Sequence, residues 1–107
     1  MSDYFLVTQA RGPAYDPSRA RREQAGWAEH AAFMDALAAG GAVVLGGPMG
    51  DVNQDDVLLV MDVASEAEVR ARLAEDPWAE TILVIKRIQP WSVWLRGPRS
   101  QTQEAAH

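Results

Sequence analysis

Cysteine is absent from this sequence of 107 residues, and histidine occurs at only two positions, His30 and His107. A chain without cysteine has no disulfide, no thiolate ligand for a metal and no thiol nucleophile. Zinc and iron sites usually collect two or more histidine or cysteine ligands, and the dinucleotide and phosphate-loop motifs are also missing. We therefore expect no bound metal and no cofactor.

Positive charge and long apolar stretches are scarce as well. The sequence has 10 basic and 15 acidic side chains, and its net charge of −5 argues against nucleic acid as a partner. No apolar run approaches the ~20 residues of a membrane-spanning helix, and Met1–Tyr4 lacks the basic start of a signal peptide. We therefore expect a cytoplasmic protein with neither a nucleic-acid nor a membrane partner.

The length allows a single folded domain built on one hydrophobic core. The apolar patterns that predict helices and strands fall within residues 1–95, which we assign to this domain. From Arg96 onward the sequence has no apolar periodicity, and residues 96–107 are therefore predicted to form a disordered tail. No internal repeat divides the chain further.

Short β-branched runs alternate with two helical patterns along the chain. The proline-rich segment Gln9–Ala20 predicts a long loop, and loops of this length often bind ligands. A Ser-x-x-Glu capping box at Ser65 starts the second helix, and Asp76–Pro77 ends it. Glycine and proline at Gly46–Pro48 end the second strand, while Gln89–Leu95 could pair as a short extra strand. The predicted strands are Tyr4–Thr8, Ala42–Leu45, Val57–Val63 and Ile82–Ile88, and the first predicted helix is Arg21–Ala39.

This β-α-β-β-α-β order is typical of a split β-α-β arrangement. In such an α+β fold two helices cover one face of a four-stranded antiparallel sheet, with the second and third strands as neighbours. The other face of a sheet rich in valine, isoleucine and leucine would remain exposed to water. A homodimer that packs sheet against sheet would cover this face, so we expect a second copy of the chain as a partner.

His30 is the candidate for acid–base chemistry. At 100° per residue it lies in the same sector of the first helix as Trp27, Met34 and Leu37, so its ring faces the core. Imidazole changes protonation near neutral pH, and a carboxylate would fix its tautomer; the candidate partner is Asp76. The alternatives are a hydrogen-bonded packing histidine and an aspartate that stabilises a turn.

Aromatic and basic residues near His30 allow two interpretations each. Trp27 lies one helical turn before His30 and could form the wall of a pocket for an aromatic ligand. Like the other three tryptophans, it could instead be a core or dimer contact. The basic cluster before the helix is either a solvated loop or a site that attracts a small anion. Its members are Arg11, Arg19, Arg21 and Arg22.

Four landmarks occur in a characteristic order. They are a histidine early in the first helix, a strand closed by Gly-Pro, an Asp-Pro-aromatic motif after the second helix and a last strand ending in Pro-aromatic. With these landmarks the sequence resembles the YCII-related family, small proteins of the dimeric α+β barrel superfamily with a ferredoxin-like fold. The resemblance extends from about Tyr4 to Trp91. The landmark residues are His30, Gly47-Pro48-Met49, Asp76-Pro77-Trp78 and Pro90-Trp91.

The resemblance implies a dimeric ferredoxin-like barrel whose site is centred on a histidine and an aspartate. We carry these roles over to His30 and Asp76 as catalytic residues. Some relatives have Arg-Pro just before the histidine, where this chain has Trp27 and Ala28, so arginines of the preceding loop would have to hold an anionic substrate. The predicted substrate-binding residues are Trp27, Gly47, Pro48, Met49, Trp78 and Arg11.

The resemblance also implies a class of reaction. At least one family member is a cofactor-independent dehydrochlorinase of a chlorinated hydroxyhydroquinone, and related barrels isomerise lactones or oxygenate polyketide-like aromatics. We therefore expect a cofactor-independent lyase or isomerase that acts on a small hydroxylated aromatic or enolisable substrate. The alternatives are a non-catalytic small-molecule-binding or accessory module and a cofactor-free monooxygenase.

Overall fold

The strands and helices follow the predicted β-α-β-β-α-β order. The computed structural model describes residues 2–50 and 56–98. A short 3-10 helix, Arg21–Glu23, precedes the first α-helix. The main elements are β1 (Ser2–Arg11), α1 (Trp27–Ala39), β2 (Val43–Pro48), β3 (Val57–Met61), α2 (Glu66–Leu73) and β4 (Leu83–Val93).

The four strands form one antiparallel sheet in the order β2-β3-β1-β4. In the middle of β1, Val7 pairs with Leu59 of β3 on one side and with Ile88 of β4 on the other. The predicted pairing of the second and third strands is confirmed. Together with the two helices, this sheet confirms the predicted α+β, ferredoxin-like fold.

The main hydrophobic core lies between the helices and one face of the sheet. Leu37 of α1 and both Val69 and Leu73 of α2 pack in one cluster with Val7. The neighbouring Leu6 faces the opposite side, because successive side chains of a strand alternate between the two faces. Burial of each such aliphatic side chain contributes about 1.5–3 kcal/mol, so this layer supplies the main driving force for folding.

The first strand and the first helix differ in length from the prediction. β1 extends beyond the predicted Tyr4–Thr8 because its pairing with β4 continues to Arg11. The helix does not begin at Arg21 as predicted. Gly26 has a φ of 79°, a left-handed conformation that cannot belong to a right-handed helix, and α1 therefore starts at Trp27.

Two prolines lie inside outer strands of the sheet. The predicted end of the second strand at Gly46–Pro48 is wrong, because β2 continues to Pro48, which pairs with Val57. The residues predicted as a short extra strand continue β4 instead, in which Pro90 pairs with Phe5. Both strands have a neighbour on one side only, and a proline without an N–H group is tolerated in such edge strands.

The remaining boundaries are close to the predicted ones. β3 ends at Met61 rather than at Val63, and α2 ends at Leu73, shortly before Asp76–Pro77. Residues 51–55, between the second and third predicted strands, and residues 99–107 of the predicted tail lie outside the described residues. Within residues 2–50 and 56–98, no helix is long and apolar enough to cross a membrane.

The N-terminus of α2 is capped by the predicted Ser-x-x-Glu motif. The side-chain oxygen of Ser65 accepts a hydrogen bond from the backbone N–H of Glu68 at 3.1 Å. The Glu68 carboxylate accepts the N–H of Ala64, one residue before the serine, also at 3.1 Å. This bond, with a further contribution from Arg72, holds the pKa of Glu68 below its usual value.

Replacement of the capping serine, Ser65→Ala, should lower the free energy of unfolding by about 1 kcal/mol, since the N–H of Glu68 loses its acceptor. Urea denaturation followed by circular dichroism measures this change. Ser92→Ala, at an exposed position of β4, is the matched control and should leave the stability nearly unchanged. Equal stability of the two variants would contradict the capping role.

Candidate functional site

His30 lies in the first turn of α1, on the side that faces the sheet. Gly26 is the N-cap of the helix, and its carbonyl accepts the N–H of His30 at 3.0 Å. His30 and Leu37 are the buried residues of α1, and Phe33 and Met34 between them are partly buried. The helix therefore has one inward stripe with the imidazole at its N-terminal end.

Asp76 lies in the turn between α2 and β4. Its backbone N–H donates to the carbonyl of Leu73 at 3.1 Å, which continues the last turn of the helix. Its Oδ1 atom accepts the N–H of Trp78 at 2.9 Å, an arrangement common for aspartate in turns. Pro77, between the two, has no N–H to compete for the carboxylate. The turn thus holds the Asp76 carboxylate in one orientation.

The two side chains meet in a buried pair. His30 Nδ1 lies 2.9 Å from both Oδ1 and Oδ2 of Asp76, and the side chains are only 11% and 2% exposed. An ionised carboxylate can only accept hydrogen bonds, so this contact matches the tautomer in which Nδ1 carries the proton and donates it. Nε2 is then the nitrogen that can accept a proton, and it forms no hydrogen bond with any other described residue.

Trp78 forms the wall behind the imidazole. Its indole ring stacks on the His30 ring at a centroid distance of 4.1 Å and an interplanar angle of 8°. The indole N–H donates to the carbonyl of Ala25 at 2.7 Å, just before α1. Trp78 is 1% exposed, which favours core packing, one of the two interpretations of this residue, over direct contact with a ligand.

Trp27 is the partly exposed aromatic residue next to the pair. Its ring centroid lies 5.7 Å from that of His30, with the two planes tilted by 49°, and it has the same centroid distance to Trp78. Trp27 is only partly buried, whereas Trp78 is buried. The predicted role of Trp27 in binding an aromatic ligand stays a prediction.

Three arginines lie around the aromatic rings near this site. The guanidinium of Arg11 lies 4.3 Å from the ring centre of Tyr15, and that of Arg21 lies 5.9 Å from the same ring. Arg22 is 5.8 Å from the ring of Trp27. Tyr15 packs against the core cluster that contains the stacking tryptophan. The structure thus gathers positive charge around Tyr15 and Trp27, which both pack against this cluster, whereas the role of Arg11 in substrate binding stays a prediction.

The loop that carries these arginines is held together by Gln24, which is 4% exposed. Its Nε2 group donates to the carbonyls of Asp16 and Arg19 at 2.8 and 3.0 Å, and its Oε1 accepts the N–H of Asp16 at 2.9 Å. Hydrogen bonds from Ser18 lower the pKa of Asp16. Arg19 is exposed and lies 3.8 Å from the Asp16 carboxylate, so it belongs to the outer surface of the loop.

Gln24 was missing from the sequence-based site residues. Glutamine usually lies on the protein surface, and no local motif distinguishes this one from its neighbours. Its position between a proline-rich loop and a helix is the only available signal. The loop lacks the regular backbone hydrogen bonds of a strand or helix. The buried side chain of Gln24 replaces some of them, because a single amide group has both donors and an acceptor.

The predicted floor of the cleft lies at the end of β2. Pro48 pairs with Val57, and Val57 pairs with Gln9 shortly before the arginine-rich loop, so all three lie at the same end of the sheet. No atom lies within 4 Å of a Cβ built on Gly47. In the described part of the chain, no hydrogen bond or ring contact joins residues 47–49 to the histidine–aspartate pair. Substrate binding by Gly47, Pro48 and Met49 stays a prediction.

The fold and the site define a class of protein. It is a small ferredoxin-like α+β protein with a buried histidine–carboxylate pair between its first helix and the turn after its second. Among the described residues, no group of three histidine, aspartate or glutamate side chains could hold a metal ion.

The chain belongs to the YCII-related family, because the family model described as the YCII-related domain matches residues 5–92. This match confirms the family resemblance found in the sequence. No curated protein and no solved structure matches the chain significantly.

Loss of the buried amide in Gln24→Ala should loosen the loop that precedes α1, because the N–H of Asp16 and two carbonyls lose their partner. We expect a loss of stability of about 1–3 kcal/mol and faster amide hydrogen exchange at Asp16. Exchange monitored by NMR measures the local effect. Gln89→Ala, at an exposed glutamine of β4, is the control, and equal exchange at Asp16 in both variants would contradict the role of Gln24.

Proposed function

We propose that the protein is a cofactor-independent lyase or isomerase in which His30 transfers a proton and Asp76 orients its ring. The observation that carries the proposal is the 2.9 Å contact of His30 Nδ1 with both carboxylate oxygens. A carboxylate in this position fixes the tautomer whose Nε2 atom is basic, and it stabilises the imidazolium that forms when Nε2 takes a proton. The same arrangement serves general bases on many unrelated folds.

The proton balance of the proposed reaction is simple. Nε2 of His30 takes a proton from a hydroxyl group or from an acidic carbon of the substrate, and the electron pair stays on the substrate. In an isomerisation the imidazolium returns the proton to another atom of the substrate. In an elimination the electron pair forms a double bond and a leaving group such as chloride departs with its electrons. In both reactions Asp76 orients the ring through its hydrogen bond to Nδ1 and neither takes nor gives the transferred proton.

The surroundings of His30 favour an aromatic substrate with negative charge. Trp27 offers a partly exposed indole beside the imidazole, and an aromatic ring can stack on such a surface. The guanidinium of Arg22 lies over the same indole, and Arg11 lies over the nearby Tyr15. A phenolate formed by proton transfer would be stabilised by these positive charges. A small hydroxylated aromatic compound meets both conditions.

Deuterium exchange tests the proposed proton transfer directly. Polyhydroxybenzenes such as phloroglucinol exchange ring protons through a keto tautomer, and NMR in D2O measures the rate. The protein should accelerate this exchange, and His30→Ala should reduce the acceleration by roughly 100-fold or more, as expected for loss of a general base. Asp76→Asn should also reduce it, because the amide removes the negative charge that stabilises the imidazolium.

Asp35→Asn provides the control for these variants, since Asp35 is exposed on the same helix. It should exchange the probe at the rate of the parent protein. A chlorinated hydroquinone tests the elimination reaction in parallel, with chloride release as the readout. Equal exchange and equal chloride release by the parent protein and His30→Ala would refute the proposed role of His30.

The second candidate function is non-catalytic binding of a small molecule. It is favoured by the burial of Asp76, whose Oδ1 also accepts the N–H of Trp78 and so stabilises the turn regardless of catalysis. Under this alternative neither the parent protein nor His30→Ala would convert the ligand chemically. The His30→Ala substitution would lower the free energy of unfolding by about 1–3 kcal/mol, the range for a broken buried hydrogen bond.

We also propose that the protein forms a homodimer through the sheet face opposite the helices. Leu45 and Trp91 are 68% and 43% exposed, and they pair with Val60 and Tyr4 in the sheet. Their side chains therefore share the face of Leu6, away from the helical layer. A two-fold axis would place this apolar face against its own copy and remove it from water.

The dimer proposal predicts that Leu45→Glu, which places a carboxylate within the apolar face, produces a monomer. Light scattering after size-exclusion chromatography should give the mass of two chains for the parent protein and of one chain for the variant. Ala32→Glu, at an exposed position of α1, adds the same charge on the helical side and should remain dimeric. A monomeric parent protein, or a dimeric Leu45→Glu variant, would contradict the proposal.

A further inference from the structure

A cavity lies between α2 and the strands β1 and β4. Its volume is about 370 Å³, which is within the range of small-molecule sites. Neither His30 nor Asp76 lines it. The aliphatic part of its lining consists of Leu73, Ala74, Ala79, Leu83 and Ile85.

Gln9 is the polar group in the depth of this cavity. It is 5% exposed and pairs with Val57 and Ile85 in the centre of the sheet. Its side-chain amide forms no hydrogen bond with another described residue, although it lines the cavity. The amide therefore remains able to donate and to accept hydrogen bonds on the cavity side, and a polar group placed in the cavity could bind to it.

Two opposite charges lie at the outer part of the cavity. Arg70 of α2 and Glu80 in the turn before β4 both line it, and both residues are exposed. Arg70 is also 3.4 Å from Glu66, but that pair is more than half exposed on each side and therefore weak. The Arg70 guanidinium remains able to bind a carboxylate, and the Glu80 carboxylate can accept hydrogen bonds from an ammonium group.

Glu80 has an unusual backbone conformation for its residue type. Its φ of 63° is the one positive φ among the non-glycine residues that the structure describes. This left-handed conformation costs about 1–2 kcal/mol for a residue with a Cβ. Its N–H donates to the carbonyl of Leu83 at 2.9 Å, which ties the residue to the start of β4. The turn thus fixes the backbone of Glu80 beside the cavity.

We propose that this cavity binds a free α-amino acid with an uncharged side chain. The carboxylate of the ligand pairs with Arg70 and its ammonium group with Glu80. The side chain of the ligand extends between Leu73 and Leu83, and a polar group at its end can bind the amide of Gln9. One zwitterionic head satisfies both charges, whereas a simple acid or amine leaves one of them unpaired. This proposal does not depend on the role of the His30–Asp76 pair.

Isothermal titration of the full chain with leucine, methionine, glutamine and phenylalanine tests the proposal. At least one should bind saturably at millimolar concentrations, and the side-chain NH2 signal of Gln9 should shift in the NMR spectrum. For leucine, 4-methylpentanoate lacks the ammonium group and isoamylamine lacks the carboxylate. Each analogue should bind roughly tenfold or more weakly than leucine, the usual effect of losing one charged hydrogen bond.

Two surface variants assign the charged contacts. Arg70→Gln should weaken binding of the amino acid roughly tenfold but leave binding of isoamylamine unchanged. Glu80→Gln should also weaken binding of the amino acid roughly tenfold, but it should leave binding of 4-methylpentanoate unchanged. Arg72→Gln, on the same helix but outside the cavity, is the control and should bind like the parent protein. The proposal is overturned if no amino acid binds saturably, or if binding is unchanged in both cavity variants.

Discussion

The hydrogen-bonded pair of His30 and Asp76 joins two parts of the chain that are 46 positions apart. It connects the first turn of α1 to the turn after α2, and the two helices otherwise meet through the aliphatic core. Since neither group can be buried cheaply without the other, the pair also constrains how the two helices approach each other. Removal of one partner would leave the other buried and unpaired. The conformations of both turns are organised around this constraint.

Gly26 and Trp78 show how the constraint is met. A Cβ on Gly26 would lie 3.2 Å from the indole nitrogen of Trp78, and the φ of 79° already disfavours any other residue. The chain therefore passes close to the indole, whose N–H binds the carbonyl of Ala25. The start of α1 is thus set by contact with the Asp-Pro-Trp turn, and the stacked indole holds the imidazole in line with the carboxylate. The proposed proton transfer and the local packing thus depend on the same three side chains.

The fold was predictable because its signals are local and periodic. The capping motif at Ser65 and the apolar run of β3 each depend on neighbouring residues, and both elements occur where the sequence predicts them. The start of α1 was not predictable in the same way, since Gly26 lies within an otherwise helical pattern and its conformation depends on Trp78, which is far along the chain. That β2 and β4 continue through their prolines was not predictable for a related reason. Their tolerance depends on the strands being at the edges of the sheet, which is a property of the topology.

The site was predictable only in part, because a buried polar residue gives little local signal. His30 stands out as a titratable ring on an apolar helical face, and the proline after Asp76 marks a turn. Gln24 and Gln9 carry no such mark, although each is at least as buried as His30. The two glutamines differ physically in a way that only the structure shows. The amide of Gln24 is saturated by the backbone of the loop and therefore serves stability, whereas the amide of Gln9 has no partner among the described residues and lines a cavity. Because the Gln9 amide faces the cavity with its donors and its acceptor unused by the described residues, the proposed ligand site rests on Gln9 and not on Gln24.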